Sequence, residues 1–301
     1  MEQIWAITGA EGQLGQSLAA LLESRSASFC AWSRQEMDIG DAARVDARLS
    51  ALARQCSAVS GECEAVLINA AAFTAVDLCE SERETATRVN EQGPQLLASA
   101  CEKYGIHLVQ VSTDYVFDGC AQQPYEVGSE TNPRSFYGVS KLAGEGPVLA
   151  VGGLVVRSSW LFGPGRNFAV AILEQAAKRR SGEVEGPLRV VEDQRGCPTY
   201  TVDLAAGIVQ LVEAGAQGLY HLANSGSATW REFARAILDG GGYSDLEVEP
   251  IATGDLSLSA PRPGYSVLSC ARATQSGVTM RPWQDALMAY LDEQQRSKTK
   301  T

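Results

Sequence analysis

Three glycines, Gly9, Gly12 and Gly15, follow directly on the apolar run of residues 3–7 and open onto Leu14, Leu18, Leu21 and Leu22 at helical spacing. That order reads as strand, tight turn, helix. A phosphate group needs bare backbone N–H groups at close range and the positive end of a helix dipole. Glycines permit the approach and the helix start supplies the field. Taken alone, the pattern is also that of a plain glycine-rich turn. Placed after the first strand of an alternating chain, it points to a dinucleotide.

The chain does alternate. Apolar runs at 28–32, 65–69, 107–112 and 154–159 read as strands, and helical patterns cover about 41–56, 82–104 and 137–150. The run at 65–69 shows no in–out alternation, as expected of a strand buried on both faces. The expected fold class is therefore α/β, a doubly wound parallel sheet. After residue 160 the pattern loosens at Gly163, Pro164 and Gly165. Helices are expected near 168–180, 201–213, 230–239 and 282–293, with short strands near 188–191 and 218–222. We expect a nucleotide-binding domain over 1–160 plus about 200–222. A smaller, interwoven C-terminal substrate lobe would cover about 161–199 and 223–290, and a polar tail at 294–301 is expected to fray.

Composition removes several function classes. Of the 301 residues, 25 are basic and 36 acidic, a net charge of −11. No cationic surplus is left for nucleic-acid phosphates. No 18-residue apolar window suggests a membrane span, and no signal peptide is read. The eight cysteines form no CxxC pair and only His107 and His221 are present, so no metal site is expected. Most cysteines read as small buried hydrophobes in a reducing, cytoplasmic setting. There is no Gly-x-Ser-x-Gly nucleophile elbow, no glycosidase carboxylate pair stands out, and both histidines read as structural.

Three further features carry chemistry. Tyr137 and Lys141 stand four apart on a predicted helix and so share a face. A phenol titrates near 10 in water. A neighbouring ammonium and an oxidised nicotinamide are expected to lower that value, so that Tyr137 can protonate a carbonyl oxygen as hydride arrives. Ser112-Thr113-Asp114-Tyr115 closes the fourth strand, at the edge where open parallel sheets bind ligands. There Thr113 either holds the reacting oxygen or simply forms a turn. The second strand ends at Trp32-Ser33-Arg34, with a guanidinium where NAD-specific folds usually carry an acid. Arg34 fits a 2′-phosphate, which favours NADPH; NADH, and a merely solvated arginine, stay open. Asp38 and Ile39, just beyond, could flank an adenine ring.

These blocks together resemble the extended short-chain dehydrogenase/reductases, and within them the dTDP-4-dehydrorhamnose reductase family. The similarity runs over about residues 4–290. It is carried by GAEGQLG at 9–15, NAAAFTAVD at 69–77, STDYVFDG at 112–119, YGVSKLAGE at 137–145, RSSWLFG at 157–163, GRNF at 165–168, DQRGCPT at 193–199 and PRPGYSVL at 261–268. The resemblance implies a Rossmann-type fold. It also implies NAD(P)H-dependent reduction of the C4 ketone of dTDP-4-dehydro-6-deoxy-L-mannose to dTDP-L-rhamnose. Tyr137 would donate the proton, Lys141 would hold the nicotinamide ribose, and Thr113 would bind the ketone oxygen. Gly12, Gln13 and Leu14 would line the pyrophosphate, Asp38 and Ile39 the adenine, and Ala70, Ala71 and Ala72 the cofactor's flank. Val76, Trp160, Asn167, Phe168 and Arg262 would meet the sugar nucleotide.

The sequence departs from the family pattern at Phe73, where a Tyr is usual, and at Val127, where a Glu is common. Some relatives bind a metal such as Mg2+ at a dimer contact; its ligands cannot be assigned here, and a homodimer is compatible with the family. Two alternatives stay open. One is a non-catalytic NADP-binding role like that of the regulatory subunit of methionine adenosyltransferase, and the other is a 4-ketoreductase for another dTDP-deoxysugar.

Overall fold

The computed structural model describes residues 2–299, with side chains as far as Arg296. Its first half runs β1 (Glu2–Thr8), α1 (Gln13–Ser24), β2 (Ser28–Trp32), α2 (Ala42–Ser57), β3 (Cys63–Asn69), α3 (Val76–Ser81), α4 (Arg83–Thr87), α5 (Gly93–Tyr104), β4 (His107–Thr113), α6 (Phe136–Ala143), α7 (Glu145–Ala150) and β5 (Leu154–Ser158). The second half runs β6 (Leu161–Phe162), α8 (Phe168–Arg180), β7 (Leu188–Val191), β8 (Arg195–Gly196), β9 (Thr199–Tyr200), α9 (Thr201–Glu213), β10 (Gly218–His221), β11 (Ala228–Thr229), α10 (Trp230–Gly240), β12 (Val248–Ile251), α11 (Ala271–Gln275) and α12 (Trp283–Thr299). No helix among the described residues is long and apolar enough to cross a membrane.

Six strands form one parallel sheet in the order β10-β5-β4-β3-β1-β2. Both faces are covered. Trp5, Ile7, Val66, Ile68, Val109 and Val156 face α1 and α9, while Ile4, Ala6, Ala65, Leu67, Leu108 and Val155 face α2 and α5. Successive strand residues point to opposite faces, so continuous apolar runs are what two helical layers require. This is the doubly wound, Rossmann-type architecture expected from the alternation. The chain steps from β1 outward to β2 and returns on the other side at β3. The order therefore reverses between β1 and β3, and a crevice opens above their C-terminal ends.

The second half adds two-stranded pairs (β7 with β12, β6 with β9, β8 with β11) and a separate core. Phe162, Ile172, Leu188, Tyr200, Phe233, Ile237, Trp283 and Tyr290 fill that core. Helix α10 starts on a capping box, in which the Thr229 hydroxyl takes the Glu232 N–H and the Glu232 carboxylate takes the Thr229 N–H.

Local structure departs from the sequence reading in several places. The helix expected over 82–104 is broken into α4, a π-helical turn at Arg88–Gln92 and α5. Pro94 stands in the first turn of α5 and brings no N–H, so the helix restarts there. Within the π turn, Asn90 leaves helical bonding to its backbone and ties down Phe73 and Ser140 with its side chain. The short pieces β6, β8, β9 and β11 are two residues each, too short to show a period. Cys56 and Cys63 are not separate buried hydrophobes: the turn from α2 to β3 brings their Cα atoms to 5.6 Å and they form a disulfide. Helix α12 continues through residues 294–299, where fraying was expected. The rest of that tail, 300–301, lies outside the described residues.

One consequence of the sheet register is testable. His221 on β10 is the Cα partner of Arg157 on β5. It is wholly buried, and its ring stands edge-on to Phe117 at 5.8 Å. Burial first, and the Arg157 charge second, push it from an ordinary 6.5 down to about 4. Between those values the unfolded chain binds a proton that the folded chain refuses. This contribution to stability is therefore intact above about pH 6.5 and is lost as pH falls toward 4, on the order of 3 kcal/mol in all. Urea unfolding of the wild type and of His221→Gln, compared from pH 7 to pH 4, should show the steeper loss in the wild type. Parallel pH slopes would remove the histidine as its cause.

Candidate active site

The glycine turn sits at the strand-order reversal. Gly9 has φ +68°, a left-handed conformation that glycine adopts without strain, and a Cβ there would come within 2.7 Å of the Ala71 nitrogen. A side chain on Gly15 would strike the Gly9 carbonyl. The turn after β1 thus packs directly on the Ala70–Ala72 segment after β3. Helix α1 begins at Gly12 with no side-chain cap and no acid in its first turn, so its N–H groups face the crevice unspent. Gln13 places a buried amide atom, Oε1, there with no partner. The uncapped amides fit a pyrophosphate, whereas the unpartnered Gln13 oxygen is an acceptor and fits a donor instead. Leu14, also expected to line it, is 5% exposed and packs in the core below.

At the end of β2 the structure corrects one expectation. The strand end does hold a carboxylate: Glu36 folds back to accept from the Ser33 N–H and hydroxyl, both at 2.9 Å. Arg34 is exposed, and its charge helps to hold the Asp38 carboxyl below the usual range. The guanidinium is available to a 2′-phosphate, and the Ser33 hydroxyl is not. Asp38 accepts from the Gly40 N–H and from Arg88 at 3.0 Å. Ile39 is 3% exposed and packs against Gly93. Its side chain belongs to the core, not to an adenine face.

The other wall is built by α6. Ser135 caps it by accepting from the Gly138 N–H at 3.2 Å. A side chain at Gly138 would collide with the Tyr115 carbonyl, so glycine lets α6 press onto the end of β4. The press brings the Tyr137 phenol beside the Thr113 hydroxyl, which acts on its titration. Lys141 Nζ donates to the Val111 carbonyl at 2.6 Å. Thr113, Tyr137 and Lys141, singled out in the sequence, are therefore together in space and all buried. Phe73, Val76, Tyr115 and Phe136 pack around Tyr137 as an apolar collar, with the Tyr115 ring edge-on at 5.4 Å.

The electrostatics of this group differ from the expected acidified phenol. Burial pushes Tyr137 above its ordinary value, and the Thr113 hydroxyl returns only part of the shift. The same burial pushes Lys141 down to about 8, against the opposing Glu145 carboxylate. Desolvation disfavours both charged forms, and it outweighs their mutual help because the ammonium is turned to the Val111 carbonyl. Asp114, adjacent to Thr113 and 2% exposed, was quoted in the sequence motif but given no role. Burial raises its carboxyl to about 6, and it accepts from the Thr113 hydroxyl at 3.0 Å.

The residues expected to hold a sugar nucleotide divide. Trp160 has a left-handed backbone, φ +48°, and its indole lies parallel to Trp230 at 3.6 Å. Trp230, which sequence reasoning passed over, donates from its indole N–H to Gln194, and Phe168 packs on its other side. Gly196 leaves room for the Trp160 ring. Asn167 is not free for a ligand. Its Oδ1 caps α8 at the Val170 N–H and its Nδ2 is shared among the Gly163 and Gly165 carbonyls and the Tyr290 hydroxyl. Arg262 is engaged too, donating to Asp77 at 2.5 Å and to the Ala260 carbonyl at 2.8 Å. Asp77 also accepts from the Ser259 and Ala260 N–H groups, so this pair clasps α3 to the C-terminal lobe. A cavity of about 770 Å³ beside α10 includes Arg195, Arg231 and Arg235 but none of the Thr113, Tyr137, Lys141 set. Each of those arginines is already paired with a carboxylate.

A family model described as the RmlD substrate binding domain matches residues 4–296. The chain is 40% identical over 293 residues to a dTDP-4-dehydrorhamnose reductase of Streptomyces griseus, covering 94% of this chain and 91% of that protein. It is 37% identical to a dTDP-4-keto-6-deoxy-D-glucose reductase of Streptomyces niveus, covering 95% and 96%. A dTDP-4-dehydrorhamnose reductase of Bacillus anthracis, solved in complex with NADP, superposes with a TM-score of 0.87 at 31% identity, covering 97% of this chain and all (100%) of that one. The chain therefore belongs to the RmlD substrate binding domain family, that of the dTDP-4-dehydrorhamnose reductases.

Proposed function

We propose that this protein is an NADPH-dependent oxidoreductase that reduces the C4 ketone of dTDP-4-dehydro-6-deoxy-L-mannose to give dTDP-L-rhamnose. The observation that carries the reading is the gathering of Thr113, Tyr137 and Lys141, all buried, at the C-terminal edge of the sheet beside a glycine turn with unspent amides. We read the sheet domain as the seat of the cofactor and the C-terminal lobe as the seat of the sugar nucleotide. The cytoplasm is the compartment we assign.

In this mechanism Gly12, Gln13 and the first amides of α1 hold the pyrophosphate, Arg34 the 2′-phosphate and Lys141 the nicotinamide ribose. Bound NADPH supplies the hydride. The chain's own residues manage the proton. Tyr137, kept protonated by burial, is a neutral acid at physiological pH. Its phenolic proton goes to the ketone oxygen as negative charge develops there, while the Thr113 hydroxyl fixes that oxygen by hydrogen bonding. The cationic Lys141 offsets the charge left on the Tyr137 oxygen. The apolar collar of Phe73, Val76 and Tyr115 keeps water from competing as a proton source.

A second reading, reduction of a different dTDP-4-keto sugar, is favoured by the similarity to the Streptomyces niveus protein at nearly the same identity. The stacked Trp160–Trp230 pair is our candidate for choosing between sugars.

Three measurements test these statements. Tyr137→Phe should bind NADPH as tightly as the wild type while kcat falls by roughly 10²–10⁴; unimpaired turnover would sink the proton-donor role. Arg34→Ala should weaken NADPH by about tenfold or more and leave NADH nearly unchanged, since only the charge-assisted contact to the 2′-phosphate is lost. Equal weakening of both cofactors would count against that contact. Absorbance at 340 nm across a panel of dTDP-4-keto-6-deoxy sugars should fall fastest with the rhamnose precursor. No fall with any sugar would leave a binding protein instead of an enzyme.

A further inference from the structure

Beneath the crevice a line of buried polar side chains crosses three strands, and the proposed mechanism gives it no task. Thr8 ends β1, Asn69 ends β3 and Gln110 stands on β4; the register makes Asn69 the Cα partner of both others. All three are at most 2% exposed. The Thr8 hydroxyl donates to Asn69 Oδ1 at 2.5 Å. Asn69 Nδ2 donates to Gln110 Oε1 at 2.7 Å, and Gln110 Nε2 donates to the Val111 carbonyl at 2.9 Å. The Lys141 ammonium donates to that same carbonyl at 2.6 Å. The line therefore runs unbroken from the residue before Gly9 to the lysine on α6.

Each bond fixes the direction of the next. The Asn69 oxygen takes the Thr8 proton and the Ala71 N–H at 3.2 Å, which leaves its nitrogen to face Gln110. Gln110 must then turn its oxygen to Asn69 and its nitrogen to Val111. One end of the line thus holds the Ala70–Ala72 segment on which the glycine turn packs. At the other end, the pairing of β3 with β4 stops at Asn69 and Gln110, so Val111 has no partner residue on β3. Its carbonyl oxygen has two lone pairs, and two side-chain donors converge on it. Among the described residues that oxygen is the one hydrogen-bond partner of the ammonium. An ammonium has three donors. With one spent on Val111, its direction decides where the other two point.

We propose that Thr8, Asn69 and Gln110 form a ladder that positions Lys141, with Gln110 acting on the ammonium through the shared Val111 carbonyl. The inference rests on the cofactor role given to Lys141 under the proposed function. Buried amides must find partners wherever they lie, so the bonds from Thr8 to Gln110 are expected of any brace. A second donor laid on the lysine's own anchor is not. Gln110 is a positioning residue: it fixes the carbonyl, and the carbonyl keeps the two remaining N–H groups of Lys141 aimed at the nicotinamide ribose. Without the amide the carbonyl loses a restraint and the ammonium turns with it.

The test is a double-mutant cycle on NADPH affinity, read from nicotinamide fluorescence on binding so that it does not depend on turnover. Gln110→Met, unbranched and without a donor, should weaken NADPH by about three- to tenfold. Lys141→Met should weaken it at least as much. Gln110→Met/Lys141→Met should bind no worse than Lys141→Met alone, because the ladder then has no ammonium to aim. The melting temperature should fall by a similar amount when Gln110→Met is made in either background, which separates the cost to the fold from the effect on the cofactor. An equal loss of affinity in both backgrounds, or no loss in Gln110→Met, would overturn the proposal. If the orphaned Asn69 amide keeps Gln110→Met from folding, Gln110→Glu goes through the same cycle. Its carboxylate leaves Asn69 an acceptor and takes the donor away from Val111. A loss confined to the background that retains Lys141 supports the ladder; an equal loss in both, or none, overturns it. Lys141→Met with undiminished affinity would refute the cofactor role of the lysine and the ladder with it, whereas additive losses beside a weakened Lys141→Met refute the ladder alone.

Discussion

The press of α6 onto the end of β4 is the contact on which the site depends. It is possible because residue 138 has no side chain to meet the Tyr115 carbonyl. It takes Tyr137 and Lys141 out of water together, and desolvation then moves both toward neutrality. For Tyr137 this is useful, since a proton donor must arrive protonated. For Lys141 it is a cost to the fold. A lysine lowered from 10.5 to about 8 destabilises the native state, on the order of 3 kcal/mol, at every pH below about 8. The penalty shrinks as pH rises through that value and is gone above 10.5. A site that keeps such a lysine must gain the difference elsewhere, and the apolar faces of the sheet are where it is gained. A Leu or Val fully removed from water contributes about 1.5–3 kcal/mol, and the two helix layers bury many of them.

The lobe is held to this frame by a few long-range contacts. Asp77 and Arg262 are 185 residues apart in sequence, and the clasp they make runs from the helix after β3 to the Pro261–Pro263 segment. Gly119, in the loop after β4, lies against Pro263 so closely that a side chain there would overlap it. In the proposed mechanism the reacting oxygen of a substrate meets residues of the sheet, while the rest of the molecule meets residues of the lobe, so that reaction type and sugar choice would rest on separate sets of side chains.

What could be read from the sequence was what depends on near neighbours. The glycine turn, the four-residue spacing of Tyr137 and Lys141, and Thr113 at a strand end are all local patterns, and the structure brings the last three together. The sheet followed from apolar runs that alternate with amphipathic helices. One revised reading was local: Ser33 and Glu36 stand three residues apart and bond reciprocally, the Ser-x-x-Glu spacing of a capping box. The other readings that needed revision depend on the third dimension. Asn167 looked available until its amide was found capping α8 and bridging to Tyr290, 123 residues away. Trp230 is an ordinary helix-start residue until Trp160, in a strained backbone, is laid on it. The direction of the Tyr137 shift was misjudged for the same reason: spacing reveals a nearby ammonium and says nothing of how much water is excluded.

Two titrations also bound the conditions under which the proposed chemistry is in register. Above about pH 8 Lys141 gives up its charge, and below about 6 Asp114 takes up a proton. The second event matters because a hydroxyl has one proton to give. While Asp114 is ionised, the Thr113 proton is drawn to it at 3.0 Å, and the Thr113 oxygen is left to accept from the Tyr115 N–H and to face the Tyr137 phenol. A ketone oxygen entering the site must win that proton from a carboxylate. The competition is weakened by the same burial that raises Asp114, because a carboxylate near its midpoint is a poorer rival than one fully ionised. On this reading Asp114 grades how readily Thr113 turns to the substrate: Tyr137 stays protonated and Lys141 charged below about pH 8, and the Thr113 proton is freed as Asp114 takes up its own proton toward pH 6.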